Sequence, residues 1–412
     1  MNKLLILTLL FTSQVWAQSG ALTQEFKNQV LQAKLGSVSE QAYCYSENGK
    51  VEGHQVDKLQ RIASLTKIFT TYFAAENLDL NKTFKTRIYI GKDHLHIEGG
   101  HDPYFEEDKL LILLQSLNDL GYQSFKRVTM SRSFLFYDQT MGSYKKITPT
   151  ESLKQLSFYF KSANYGAIQQ KWKAVKKFAE EEGIELSGNA PKVTATSVSI
   201  SDINPIANEN PQTYIHESKP FHTLIKAMNV QSKNYLSQNI FELSSKVSSF
   251  SSLMSNKGIS STSYKIHNGS GLPFINGNTR LDNQATCRLV LKVFDLLSEK
   301  LKSHNLKMSD VIAVIGGKDL GSFRERFEKY PETHEAVLAK TGTLKHTSSL
   351  GGVLLSHTSI PFAILNHTTS SLSARNFQDK FVTRMFDFLG AADPINYEKI
   401  SIFPWDGTDF LK

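Results

Sequence analysis

Residues 61–77, RIASLTKIFTTYFAAEN, read as a helix that is apolar over most of its surface. A helix of that kind belongs inside a core. Two of its polar residues, Ser64 and Lys67, are three positions apart and therefore share a face. A serine hydroxyl needs an adjacent base to act as a nucleophile. A lysine held among apolar side chains gives up its proton readily, because burial disfavours the ammonium. Free backbone N–H groups at the helix start could also stabilise an oxyanion. The same spacing recurs at Ser143 and Lys146, in a polar stretch between Gly142 and Pro149 that reads as a loop. Taken alone, Ser64 reads more readily as a helix N-cap than as a nucleophile.

Outward from this helix, residues 84–90 and 94–98 alternate around Gly91-Lys92-Asp93, a hairpin pattern. Residues 108–120 and 167–182 carry helical periodicity, and 192–200 (KVTATSVSI) alternate as a strand. Helices dominate 219–247 and 283–302, with a serine-rich helix end and loop at 244–263. Segments 348–356 and 360–366 read as adjacent antiparallel strands, and 373–389 as a closing helix. No regular βαβ rhythm is present, which predicts an α+β fold. The mixed block at 84–212 lies between helical stretches and is expected to be an inserted domain, leaving 18–83 plus 213–412 as the main one.

The 412 residues, 40% of them apolar, can build more than one core. Lys3, the apolar run Leu4 to Phe11 and the small residues around Ala17 read as a signal peptide over 1–17, too short to span a bilayer. Export to the periplasm is expected, with no stable membrane anchor. Nucleic acid is then an unsuitable partner for a net charge of +8, and an anionic envelope polymer is a better one. The lysines at 171–177 read as a solvated helix face. Export makes a Cys44–Cys287 disulfide possible, but a large core does not require one and the expectation is against it. His94, His96, His101 and Asp102 fit no strong zinc spacing and read as an exposed hairpin face. No metal or cofactor is expected.

Two further motifs matter. Ser-x-Asn occurs seven times, so the triplet carries little alone. Ser232-Lys233-Asn234 differs by context, because a corner between two helical stretches could project a hydroxyl and an amide into a cleft. Lys340-Thr341-Gly342-Thr343 contains the single Lys-Thr-Gly, on an expected strand. There an ammonium and a hydroxyl could hold a carboxylate, and a glycine lets a substrate backbone approach.

The order Ser-x-x-Lys, Ser-x-Asn, Lys-Thr-Gly resembles that of the β-lactamases and penicillin-binding proteins. The interval of 168 residues from Ser64 to Ser232 is longer than in β-lactamases. With Gly99-Gly100-His101-Asp102-Pro103 and Asn268-Gly269-Ser270-Gly271-Leu272, the chain resembles the low-molecular-mass class C penicillin-binding proteins, the D-alanyl-D-alanine carboxypeptidase/endopeptidase family. The resemblance implies a serine DD-peptidase that acts on peptidoglycan and is acylated by β-lactams. It implies Ser64 as nucleophile, Lys67 as base, Ser232 as proton relay and Asn234 as amide holder. Lys340, Thr341, Gly342 and Thr343 would bind the terminal carboxylate, and the N–H groups of Ser64 and Thr343 would form the oxyanion hole. Lys233, His101 and Asn268 depart from the family's usual residues, and the inserted block is shorter than in larger members. The rival readings are a β-lactamase-like hydrolase and an inactive wall-binding scaffold.

Overall fold

A computed structural model describes residues 20–138, 143–355, 359–390, 394–406 and 410–411; the expected signal peptide lies outside them. The fold is α+β, with two principal sheets. A six-stranded antiparallel sheet runs in the order Ala313–Val314, Val337–Leu344, Thr347–Leu355, Ser359–Asn366, Ala42–Glu47, Lys50–His54. Its three longest strands are buried along most of their length, as expected of strands covered on both faces. Helix Cys287–Ser303 and helix Thr66–Asn77 pack on one side, and Ser371–Phe388 contributes to the same core.

The second sheet has five strands in the order Thr194–Ile200, Ser124–Met130, His94–Glu98, Lys85–Ile90, Gln212–Glu217. It is mixed, with parallel pairing on both sides of Ser124–Met130. Helices Glu107–Asp119 and Tyr165–Glu181 build a separate apolar core on it. The C-terminal residues join the two units. The Ile395 N–H bonds to Glu335 O and Tyr397 to Asp319 in the first unit, whereas Phe403 and Phe410 enter the core of the second.

Several local expectations change. The serine-rich stretch contains a helix, Phe250–Asn256, because the Ser249 hydroxyl caps the Ser252 N–H. Pro149–Tyr159 is a helix that the pattern did not suggest, with Pro149 in its first turn and a Thr148/Glu151 capping box. His94 and His96 are buried, not exposed. Their strand is central in the five-stranded sheet, and both rings share the Thr129 hydroxyl, at 3.0 and 2.8 Å. Lys171 is only partly solvated, since it turns to Glu107 and Asp138.

The cysteine expectation is also corrected: Cys44 and Cys287 form a disulfide. It ties the inner Ala42–Glu47 strand to the first turn of helix Cys287–Ser303, across 243 residues of sequence. A cross-link closing so long a loop restricts the unfolded chain strongly, by about 2–5 kcal/mol. Cys44→Ser/Cys287→Ser should therefore lose about that much stability in denaturant unfolding; an unchanged midpoint and slope would show the bond to be idle.

Candidate active site

The segment before helix Thr66–Asn77 is a single 3-10 turn, Ala63–Leu65, so Ser64 precedes the helix proper. Its hydroxyl caps nothing in that helix. One turn on, the fully buried Lys67 amine lies 3.0 Å from Ser64 Oγ. The same amine donates to Asn234 Oδ1 at 2.9 Å and to the Ser270 carbonyl at 2.8 Å. Three segments far apart in sequence thus meet on one nitrogen.

Ser232 and Asn234 reach the site because the chain turns sharply between two helices. Phe221–Gln231 ends at Ser232, which is left-handed (φ 58°, ψ 36°), and Asn234–Ser245 begins two residues later. The Ser232 hydroxyl accepts from Lys340 Nζ at 3.0 Å. Lys340 also donates to the Thr341 carbonyl at 2.9 Å and is fully buried.

Lys340 to Thr343 lie on strand Val337–Leu344. Thr347–Leu355 pairs with that strand along its whole length, while Ala313–Val314 pairs only with Leu338 and Ala339 on the other side. Among the described residues the edge from Lys340 onward has no strand partner. Gly342 is buried there against the Ala63–Leu65 turn. A Cβ at this position would lie 2.2 Å from Ser349 Oγ and 2.5 Å from Ile62 O. The Ser349 hydroxyl donates to that Ile62 carbonyl at 2.7 Å, so the strand and the turn are directly joined. Thr341 is half-buried and Thr343 exposed.

The Asn268–Leu272 turn is the element whose role the motif reading lacked. The Asn268 side chain organises it, accepting from the N–H groups of Ser270 and Gly271 and donating to Leu272 O. Gly269 O accepts from Thr70 on helix Thr66–Asn77 (2.7 Å) and from Ser237 on helix Asn234–Ser245 (2.6 Å). Gly271 has φ +81°, and a Cβ there would lie 1.9 Å from Ala63 O. The turn therefore abuts the Ala63–Leu65 turn and delivers the Ser270 carbonyl to Lys67. Its contribution is a backbone carbonyl, so only the glycine-rich pattern could have signalled it.

Burial dominates the electrostatics. It pushes the Lys67 amine well below the usual lysine range, and the nearby Lys340 charge pushes in the same direction. Burial likewise lowers Lys340, to about 7. The cleft thus holds two buried amines whose proton affinity is lowered, one beside a serine hydroxyl and one beside an open strand edge. Such an arrangement suits nucleophilic attack on the carbonyl of a substrate bearing an anionic group.

Comparison with known proteins agrees. A model of the D-Ala-D-Ala carboxypeptidase 3 (S13) family matches residues 171–386, which include the second and third motifs. No curated protein matches. Among solved structures, a predatory endopeptidase of Bdellovibrio bacteriovorus in complex with an immunity protein is similar at TM-score 0.76 and 23% identity, over 90% of this chain and 98% of that one. A penicillin G-acylated form of that endopeptidase is similar at TM-score 0.73 and 23% identity, with the same coverage. Penicillin-binding protein 4 of Haemophilus influenzae is similar at TM-score 0.57 and 16% identity, over 90% of this chain and 99% of that one. These likenesses show a shared fold, and with a family model spanning just over half of its length the chain belongs to the D-Ala-D-Ala carboxypeptidase 3 (S13) family.

Proposed function

We propose that this protein is a periplasmic serine DD-peptidase that cleaves D-alanyl-D-alanine termini and D-alanyl-diamino-acid cross-links of peptidoglycan, and that β-lactams acylate it at Ser64. The observation that carries this reading is the convergence on Lys67 Nζ of Ser64 Oγ, Asn234 Oδ1 and Ser270 O, all within 3.0 Å. Neutral Lys67 takes the Ser64 proton as Oγ attacks the carbonyl of the penultimate D-alanine. The C–N bond then breaks, and the leaving amine takes up the proton that Lys67 accepted, relayed through Ser232. Water hydrolyses the ester, and Ser64 recovers its proton. Asn234 Nδ2 holds the substrate amide, while Lys340, Thr341 and Thr343 hold the terminal carboxylate. The N–H groups of Ser64 and Thr343 receive the oxyanion.

A disulfide supports export, because such bonds persist in oxidising compartments. Among the described residues no helix is long and apolar enough to cross a membrane. The five-stranded unit has a core of its own, and we read it as an accessory domain inserted in the catalytic one.

Ser64→Ala should abolish covalent labelling by a fluorescent penicillin and lower hydrolysis of purified peptidoglycan by about 10³-fold or more. In the wild type both cross-linked dimers and pentapeptides should fall. Digestion persisting in Ser64→Ala would end the peptidase reading.

The two amines also set a pH profile. Lys67 must be neutral to accept a proton, and Lys340 charged to hold a carboxylate. The kcat/KM for a carboxylate-bearing substrate should therefore fall above the free-enzyme pKa of Lys340, about 7, by about tenfold per pH unit. Bound carboxylate favours the ammonium, so the alkaline limb of kcat should lie at higher pH. A kcat/KM that stays flat from about pH 6 to 9 would contradict this assignment.

A further inference from the structure

Lys233 stands between the two side chains that the second motif contributes to the cleft, and its own amine reaches the other unit. It lies 2.8 Å from Glu106 Oε2 and 3.7 Å from Asp108 Oδ2, over the Tyr104 ring at 4.6 Å. The Lys233 and Glu106 side chains are only 16% and 18% exposed. All three contacts come from residues 104–108, which lead into helix Glu107–Asp119 of the five-stranded unit.

That socket is rigid in its own right. The Tyr104 hydroxyl donates to Asp108 at 2.9 Å, and the Tyr104 N–H donates to Asp102 at 2.9 Å. Asp102 also pairs with Lys109 at 2.6 Å, with both side chains almost entirely buried. Asn239, on the second-motif helix, donates to Pro103 O at 3.0 Å.

The corner that Lys233 belongs to needs an outside anchor. Ser232 is a non-glycine residue in the left-handed region, a conformation that persists only where the surroundings enforce it. Lys233 is the N-cap of helix Asn234–Ser245, yet its side chain makes no capping bond. A small rotation at this corner would carry Ser232 Oγ off Lys340 and Asn234 Oδ1 off Lys67 together, because both are attached to it.

We propose that Glu106 is a positioning residue for the peptidase site: by gripping Lys233 it holds the Ser232–Asn234 corner, and through it the contacts to Lys340 and Lys67. The inserted unit is then part of the catalytic apparatus. Glu106 and Lys233 would act through Ser232 and Asn234, and the proposal rests on the reading of the cleft as a DD-peptidase site.

Acylation by a fluorescent penicillin, followed over a range of concentrations, separates the saturation constant from the acylation rate. Glu106→Gln and Lys233→Met should each lower the acylation rate by about 10- to 100-fold and move the saturation constant little. Each should also lower Tm, because a charge is left poorly compensated in a buried setting. The double variant removes both charges and should recover Tm while acylation stays slow. Acylation that recovers together with Tm would reduce the pair to a structural role and overturn the proposal, as would single variants acylating at the wild-type rate. Should Glu106→Gln fail to fold, Lys233→Met and the double variant carry the same comparison. A wild-type protein forming no acyl-enzyme would instead overturn the peptidase reading itself.

Discussion

The Lys67 amine is fully buried, and its three neighbours within hydrogen-bonding distance come from three separate segments. A neutral amine has two N–H donors and one lone pair. The Ser270 carbonyl can only accept, and so can Asn234 Oδ1. These two consume both donors, which leaves the lone pair for the Ser64 hydroxyl. When that amine is neutral its lone pair faces the Ser64 hydroxyl, and burial shifts the lysine in that direction. Removal of any of the three segments would leave the amine with a free direction or an unmet donor.

Backbone proximity is what lets these segments meet. The Ala63–Leu65 turn is pressed between the Lys340–Leu344 strand edge and the Asn268–Leu272 turn. At both contacts the residue is a glycine whose missing Cβ would overlap a main-chain carbonyl, of Ile62 at Gly342 and of Ala63 at Gly271. Hydrogen bonds then fix the spacing: Ser349 to Ile62 on one side, and Asn283 to Thr66 and Asn268 on the other. The open strand edge follows from a simple inequality of length. Ala313–Val314 is too short to cover the edge that Thr347–Leu355 leaves free, so an extended peptide could lie along it as an added strand.

Some of this was legible in the sequence and some was not. Ser64 and Lys67 are related by helical period, a local rule that survives whatever the rest of the chain does. The strands at 347–355 and 359–366 were readable because a covered sheet needs long apolar runs. Ser232 and Asn234 were readable only in combination with the other motifs, since seven such triplets occur and the left-handed corner that aims this one is not a side-chain property. Ser270 acts through its carbonyl and leaves no chemical signature. The disulfide joins residues 243 apart, a distance on which periodicity is silent. His94 and His96 were misread because a hairpin pattern does not reveal whether a further strand pairs along its open edge. Here Ser124–Met130 does so, and its Thr129 hydroxyl bonds to both rings.

Two left-handed residues and two buried amines meet at the cleft. Ala63 and Ser232, both non-glycine residues with positive φ, adjoin or belong to motif positions. Lys67 and Lys340 are buried with hydroxyl and carbonyl neighbours instead of a carboxylate. Elsewhere, buried amines are treated differently. Lys226 has Asp319 and Lys109 has Asp102, each pair almost wholly enclosed. The fold therefore neutralises buried lysine charge with an acid where the lysine is structural and withholds the acid in the cleft. An acid beside Lys67 would favour its ammonium and remove the lone pair. Glu106 and Asp108 bring negative charge to Lys233, between the two motif side chains, but on the side of the five-stranded unit. The corner carries an ion pair, whereas Lys67 has no acid beside it among the described residues. That separation of charges allows one buried site to be both rigid and basic.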